Sequence, residues 1–67
     1  MSESVKLIVG AYVQLKDRQA IEDLREHRQL LRRKLQASAA GGFDPSSSIR
    51  LIDSDLYEID AGLARLQ

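Results

Sequence analysis

Ile49, Ile52, Leu56, Ile59, Leu63 and Leu66 are separated by steps of 3, 4, 3, 4 and 3. Side chains three and four apart share one face of a helix. The spacing therefore predicts a helix over residues 46–66 with a heptad seam along one side. Ile49, Leu56 and Leu63 take one seam position, and Ile52, Ile59 and Leu66 take the other. Asp53, Asp55, Glu58 and Asp60 lie off this seam and read as a solvated acidic flank. Gly62 weakens such a helix by about 1 kcal/mol relative to Ala, and it permits a close helix contact. An apolar seam has to be covered, so the chain needs at least one more helix.

That helix stands upstream, in "DRQAIEDLREHRQLLRRKLQ". Its expected span is 17–38. Asp17 suits the N-cap, Glu22 and Asp23 lie near the start, and Arg32, Arg33 and Lys34 lie near the end, where cations favour the macrodipole. Ala20, Ile21, Leu24, Leu31 and Leu35 form its apolar stripe. Residues 39–45 form the connecting loop. Gly41 and Gly42 can close the first helix, and Asp44 before Pro45 can open the second. Phe43 is placed to cover the end of the core.

Two helices about 30 Å long, joined by a short loop, make an antiparallel hairpin. Leu31 then faces Ile52, Leu24 faces Ile59, and Ile21 faces Leu63. The charges agree with this pairing. Residues 16–34 hold seven bases and four acids, and residues 44–67 hold five acids and two bases. Arg28, Arg32 and Arg33 fall beside Asp53, Asp55 and Asp60. Each exposed pair contributes at most about 1 kcal/mol, so the charges choose the partner and orientation rather than hold the pair together.

"VKLIVGAYVQL", residues 5–15, has eight apolar or aromatic residues in eleven. Alternation of Val5, Leu7, Val9, Ala11, Val13 and Leu15 would suit a strand, but no second strand exists to pair with it. A helix is the favoured reading. Its apolar residues Val5, Ile8, Tyr12 and Leu15 centre roughly 120° away from the stripe after Asp17. The chain must break or bend near Lys16–Arg18, or its apolar surface must change face there. Either way the segment looks surplus to a 17–66 hairpin.

Size sharpens that point. Sixty-seven residues make one domain and bury only about 60% of the unfolded surface. There is no Cys and one His, so a single chain has no disulfide, thiolate site or multi-histidine metal site. Self-association is the remaining common source of stability. The expected fold class is all-α: an antiparallel helical hairpin with an apolar N-terminal helical arm, assembling as a homodimer or higher oligomer into a helical bundle. Val5, Ile8, Val9, Tyr12, Val13 and Leu15 are the expected interface.

"YVQLKDRQA", residues 12–20, resembles a short pattern in small helical proteins encoded by tailed phages and prophages. The pattern runs Tyr, aliphatic, base, aliphatic, base, Asp, base. Lys16, Asp17 and Arg18 fit it, and Gln14 stands where a base is usual. The resemblance covers nine residues and implies a mobile-element origin. It implies no activity and no site residue.

Enzyme chemistry finds no foothold. His27 sits between Glu26 and Arg28, with no nucleophile near it in sequence. Glu58 lacks a His three residues on, so the di-iron helix pattern is absent. "GGFDP" lacks the Gly-Lys-Ser/Thr of a phosphate loop. No catalytic, metal-ligating or cofactor-binding residue is expected, and no cofactor. Arg18, Arg25, Arg28 and Arg32 form a stripe that could contact nucleic acid phosphates, but net charge is zero and no aromatic platform accompanies it. No apolar run nears the roughly 18 residues of a membrane span, residues 5–15 lack a signal-peptide cleavage site, and absence of Cys suits a reducing compartment. A cytoplasmic location follows. The expected function is that of a non-enzymatic structural or adaptor protein, binding itself and a larger protein. The alternative is a small regulator that binds nucleic acid through the Arg stripe.

Overall fold

Residues 5–14 are helical, and Leu15 lies in the turn that follows. A computed structural model describes residues 2–67 as α1 (Ser2–Gln14), α2 (Arg18–Ser38) and α3 (Ser46–Arg65), with a single 3-10 turn at Ala39–Gly41. No strand occurs among the described residues. None of the described helices is long and apolar enough to cross a membrane.

The break before α2 is built from named bonds. Lys16 takes a left-handed backbone at φ 56. Its N–H donates to Val13 O at 3.0 Å, and Asp17 N–H donates to Tyr12 O at 2.9 Å. These two bonds with a left-handed residue between them form a Schellman closure. Asp17 then starts α2 at once, its Oδ1 accepting from Ala20 N–H at 3.1 Å. The second junction uses Gly42, left-handed at φ 91, and Asp44, whose Oδ1 accepts from Ser46 N–H at 3.1 Å. Pro45 precedes the first helical residue and is buried. Phe43 does not cover the core end as expected. It stays 54% exposed, and Pro45 is the loop residue that turns inward.

All three helices pack on one another. Val5, Val9, Ile21 and Ile59 form the buried cluster, with Tyr12, Val13, Leu24, Leu63 and Leu66 packed partly buried around it. Segment 5–15 is therefore not surplus: α1 supplies two of the four central side chains. Its phase offset from α2 is no obstacle, because the chain breaks at Lys16 and α1 sets its own orientation.

On α3 the buried line is Ile52, Asp55, Ile59 and Gly62, with Leu66 half-buried beyond. It lies to one side of the expected seam, since Ile49, Leu56 and Leu63 are only half-buried. Gly62 belongs to it because α1 comes close there. A Cβ at 62 would run into Val9 Cγ1 and lie 3.6 Å from Val13 Cγ2. Asp55, expected on the solvated flank, is only 6% exposed. The molecule is elongated, 42 × 19 × 14 Å, with a radius of gyration of 13.0 Å; a compact chain of this length would have about 11 Å.

Gly62→Ala should lower stability by about 1–3 kcal/mol through overpacking against Val9, more than the helix propensity it gains. Gly10→Ala, with open space at its Cβ, should gain about 0.5–1 kcal/mol instead. Urea denaturation of the two variants checks the contrast. The Asp44 carboxyl is held below its ordinary pKa by the Ser46 N–H. A depressed folded-state pKa gives stability that is present above the unfolded aspartate range and is lost as pH falls through the folded value. Asp44→Asn should therefore flatten the acid side of the thermal midpoint against pH.

Candidate functional site

At 1.5 Å per residue α1 is about 20 Å long, and α2 and α3 are each about 30 Å. α1 lies against the parts of α2 and α3 that carry Ile21, Leu24, Ile59 and Gly62. Toward the 39–45 loop the surface between α2 and α3 is bare. Leu31 and Leu35 of α2 line an open groove of about 380 Å³ there with Ser48, Leu51 and Ile52 of α3. Arg28 and Asp55 complete its lining. Leu31 is 39% and Leu51 46% exposed.

Arg28 and Asp55 are there for a reason of phase. Arg28 falls between Leu24 and Leu31 on the α2 stripe, and Asp55 falls between Ile52 and Ile59 on α3. Each is a charged residue at a position where a helix stripe would ordinarily be apolar. They meet, with Arg28 Nε 3.4 Å from Asp55 Oδ2. The side chains are 24% and 9% exposed, so this is the most buried ion pair of those among the described residues. Arg28 Nη1 also donates to His27 Nδ1 at 2.8 Å. Asp55 Oδ1 is buried and has no hydrogen-bond partner. A buried carboxylate oxygen left unbonded is costly, about 1–3 kcal/mol or more.

The outer pairs differ in kind. Arg25 Nε meets Asp60 at 2.7 Å and Arg32 Nε meets Asp53 at 2.8 Å, all four side chains being more exposed than those of the inner pair. The hydrogen bond and charge of Asp53 raise the Arg32 pKa above its ordinary value. Asp60 pairs with Arg25, which lay outside the expected set of Arg28, Arg32 and Arg33.

Of the expected interface residues, Val5 and Val9 are buried inside the chain, and Tyr12 and Val13 are half-buried against the same cluster. Ile8 and Leu15 are exposed, at 44% and 72%. Of the expected nucleic-acid contacts, Arg18 pairs with Glu22 at 3.3 Å, and Arg25, Arg28 and Arg32 pair with α3 aspartates. Each of the four thus has a carboxylate beside it that offsets its charge toward a phosphate. Among the described residues no cluster of His, Cys, Asp or Glu has the makings of a metal site. Leu51 and the burial of the Arg28–Asp55 pair were missed from sequence. The seven-residue gap between Leu24 and Leu31 in the α2 stripe was the available signal. Comparison with protein-family models, with curated proteins and with solved structures gave no match.

Arg28→Met should cost about 1–3 kcal/mol, because it leaves Asp55 buried and uncompensated. Arg25→Met and Arg32→Met, at exposed pairs, should each cost less than about 1 kcal/mol. Adding Asp55→Leu to Arg28→Met should recover most of the loss. Urea midpoints of the four variants decide the order.

Proposed function

We propose that this is a non-enzymatic structural or adaptor protein, which acts through helix-mediated self-association and by binding a protein partner. In this reading α2 and α3 form an antiparallel hairpin, since partner numbers fall along α3 (60, 55, 53) as they rise along α2 (25, 28, 32). α1 braces one end of the hairpin and leaves the other end free to bind. The observation that carries the reading is the loop-side groove, with Leu31 and Leu51 exposed and the Arg28–Asp55 pair in its lining. Apolar side chains lining a concave surface with a few convergent polar groups are what a docking helix requires. A phage or prophage origin, implied by residues 12–20, belongs to the same proposal. Virion structural genes beside this one would support it, and a neighbourhood of unrelated housekeeping genes would count against it.

The binding reading is tested by tagged wild-type and Leu31→Asp/Leu51→Asp chains exposed to an extract of the native host. Wild type should retain a protein that the variant does not, at equal helicity by circular dichroism. Equal retention by both chains would remove the groove as the binding surface.

A further inference from the structure

We infer that a second copy of this chain packs on the outward face of α1, the two α1 helices lying antiparallel about a two-fold axis. The inference rests on the proposed self-association and deepens it by naming the surface and its register. Ser4, Ile8, Ala11 and Leu15 are separated by steps of 4, 3 and 4, which makes a seam on one face of a helix. Leu15 keeps this phase, because its N–H still donates to Ala11 O at 3.0 Å. All four residues are exposed, as is Leu7 beside them, and none of the five is charged. Leu7 is 74% and Leu15 72% exposed. Val5, Val9, Tyr12 and Val13, on the other side of α1, belong to the core shared with α2 and α3. α1 is thus apolar on two sides, the pattern of a helix that is covered all round. Its own chain covers one side only.

A two-fold interface must be self-complementary: what one copy needs, the same patch of the other must supply. This seam meets that condition in size and in charge. In an antiparallel register Ile8 falls over Ala11 of the second copy, and Leu15 falls over its Ser4. Each large side chain meets a small one, and the two-fold repeats both contacts. Glu3 stands at the start of the seam and Lys16 just past its end, and neither has an ion-pair partner among the described residues. The same register sets Glu3 of each copy beside Lys16 of the other. A parallel pairing would instead set Leu15 on Leu15, Glu3 against Glu3 and Lys16 against Lys16, with the helix dipoles aligned. α1 forms its own layer on α2 and α3, so its outward face is reached without moving either. A contact confined to one helix about 20 Å long falls short of the roughly 800 Å² per partner of a standard interface. Dimerisation in the micromolar range is therefore expected.

The chain lacks Cys, so single cysteines can report the register. Ser4→Cys and Leu15→Cys chains, mixed and mildly oxidised, should form the mixed disulfide several-fold in excess of either chain with itself. Sedimentation equilibrium of the wild type across micromolar concentrations should show a monomer–dimer equilibrium, weakened at least about tenfold by Leu7→Glu/Leu15→Glu. Both leucines lie outside the buried cluster, so that variant should match the wild type in circular dichroism. A wild-type monomer at every concentration overturns the dimer. If that monomer still retains a host protein through Leu31 and Leu51, the adaptor reading stands without the inference. A dimer that survives Leu7→Glu/Leu15→Glu overturns α1 as the dimer surface and leaves self-association by another face. Ser4→Cys or Leu15→Cys chains that link best to themselves overturn the antiparallel register.

Discussion

The close approach of α1 to α3 at Gly62 is the constraint on which the rest depends. Val9 reaches the centre of the core only because position 62 has no Cβ. With Val9 in place, Ile21 and Ile59 lose all contact with water, and Val5 is almost as well covered. Five buried apolar side chains among the described residues are a small core for a chain of this length, so the loss of one close contact matters more here than in a larger domain. The same glycine costs α3 helix propensity, and the close packing is its compensation.

The length of α1 has the next consequence. Thirteen residues cannot follow helices of twenty or more to their far ends. Near the start of α1 the structure changes from a three-helix core to a two-helix groove, and the Arg28–Asp55 pair stands in that stretch of the stripes. An apolar pair there would extend the core without charge, and desolvated ion pairs are often no more stabilising than such a replacement. The pair also leaves one buried oxygen, Asp55 Oδ1, without a hydrogen-bond partner, which adds to its cost. The outer pairs, Arg25–Asp60 and Arg32–Asp53, are screened by water and serve to set the register of α2 on α3.

The stretch at residues 12–20 acquires a structural meaning. Tyr12 O accepts the closing bond from Asp17 N–H, Lys16 takes the left-handed position, and Asp17 caps α2 through Ala20 N–H. These residues build a helix–helix junction. A similar pattern in other small helical proteins can therefore reflect shared turn chemistry, independent of what those proteins do.

Much of the secondary structure was legible in the sequence. The 3–4 spacing of Ile49 to Leu66 announced α3, Asp17 marked the start of α2, and Gly42 and Asp44 marked the loop. These signals are local, because periodicity and capping depend on neighbours within a turn or two. Three features were decided by tertiary structure alone. Whether α1 joined the core depended on its angle after the Lys16 break, which no periodicity along the chain encodes. The buried line of α3 passed through Asp55 and Gly62 because α1 approached that side, and one sequence stripe could not show from which side cover would come. The groove exists because three helices of unequal length were laid together, so it belongs to their arrangement and to none of them singly. The sequence by itself determined which residues would be helical and which helices would attract; the packing of α1 decided which apolar residues were spent inside and which were left exposed.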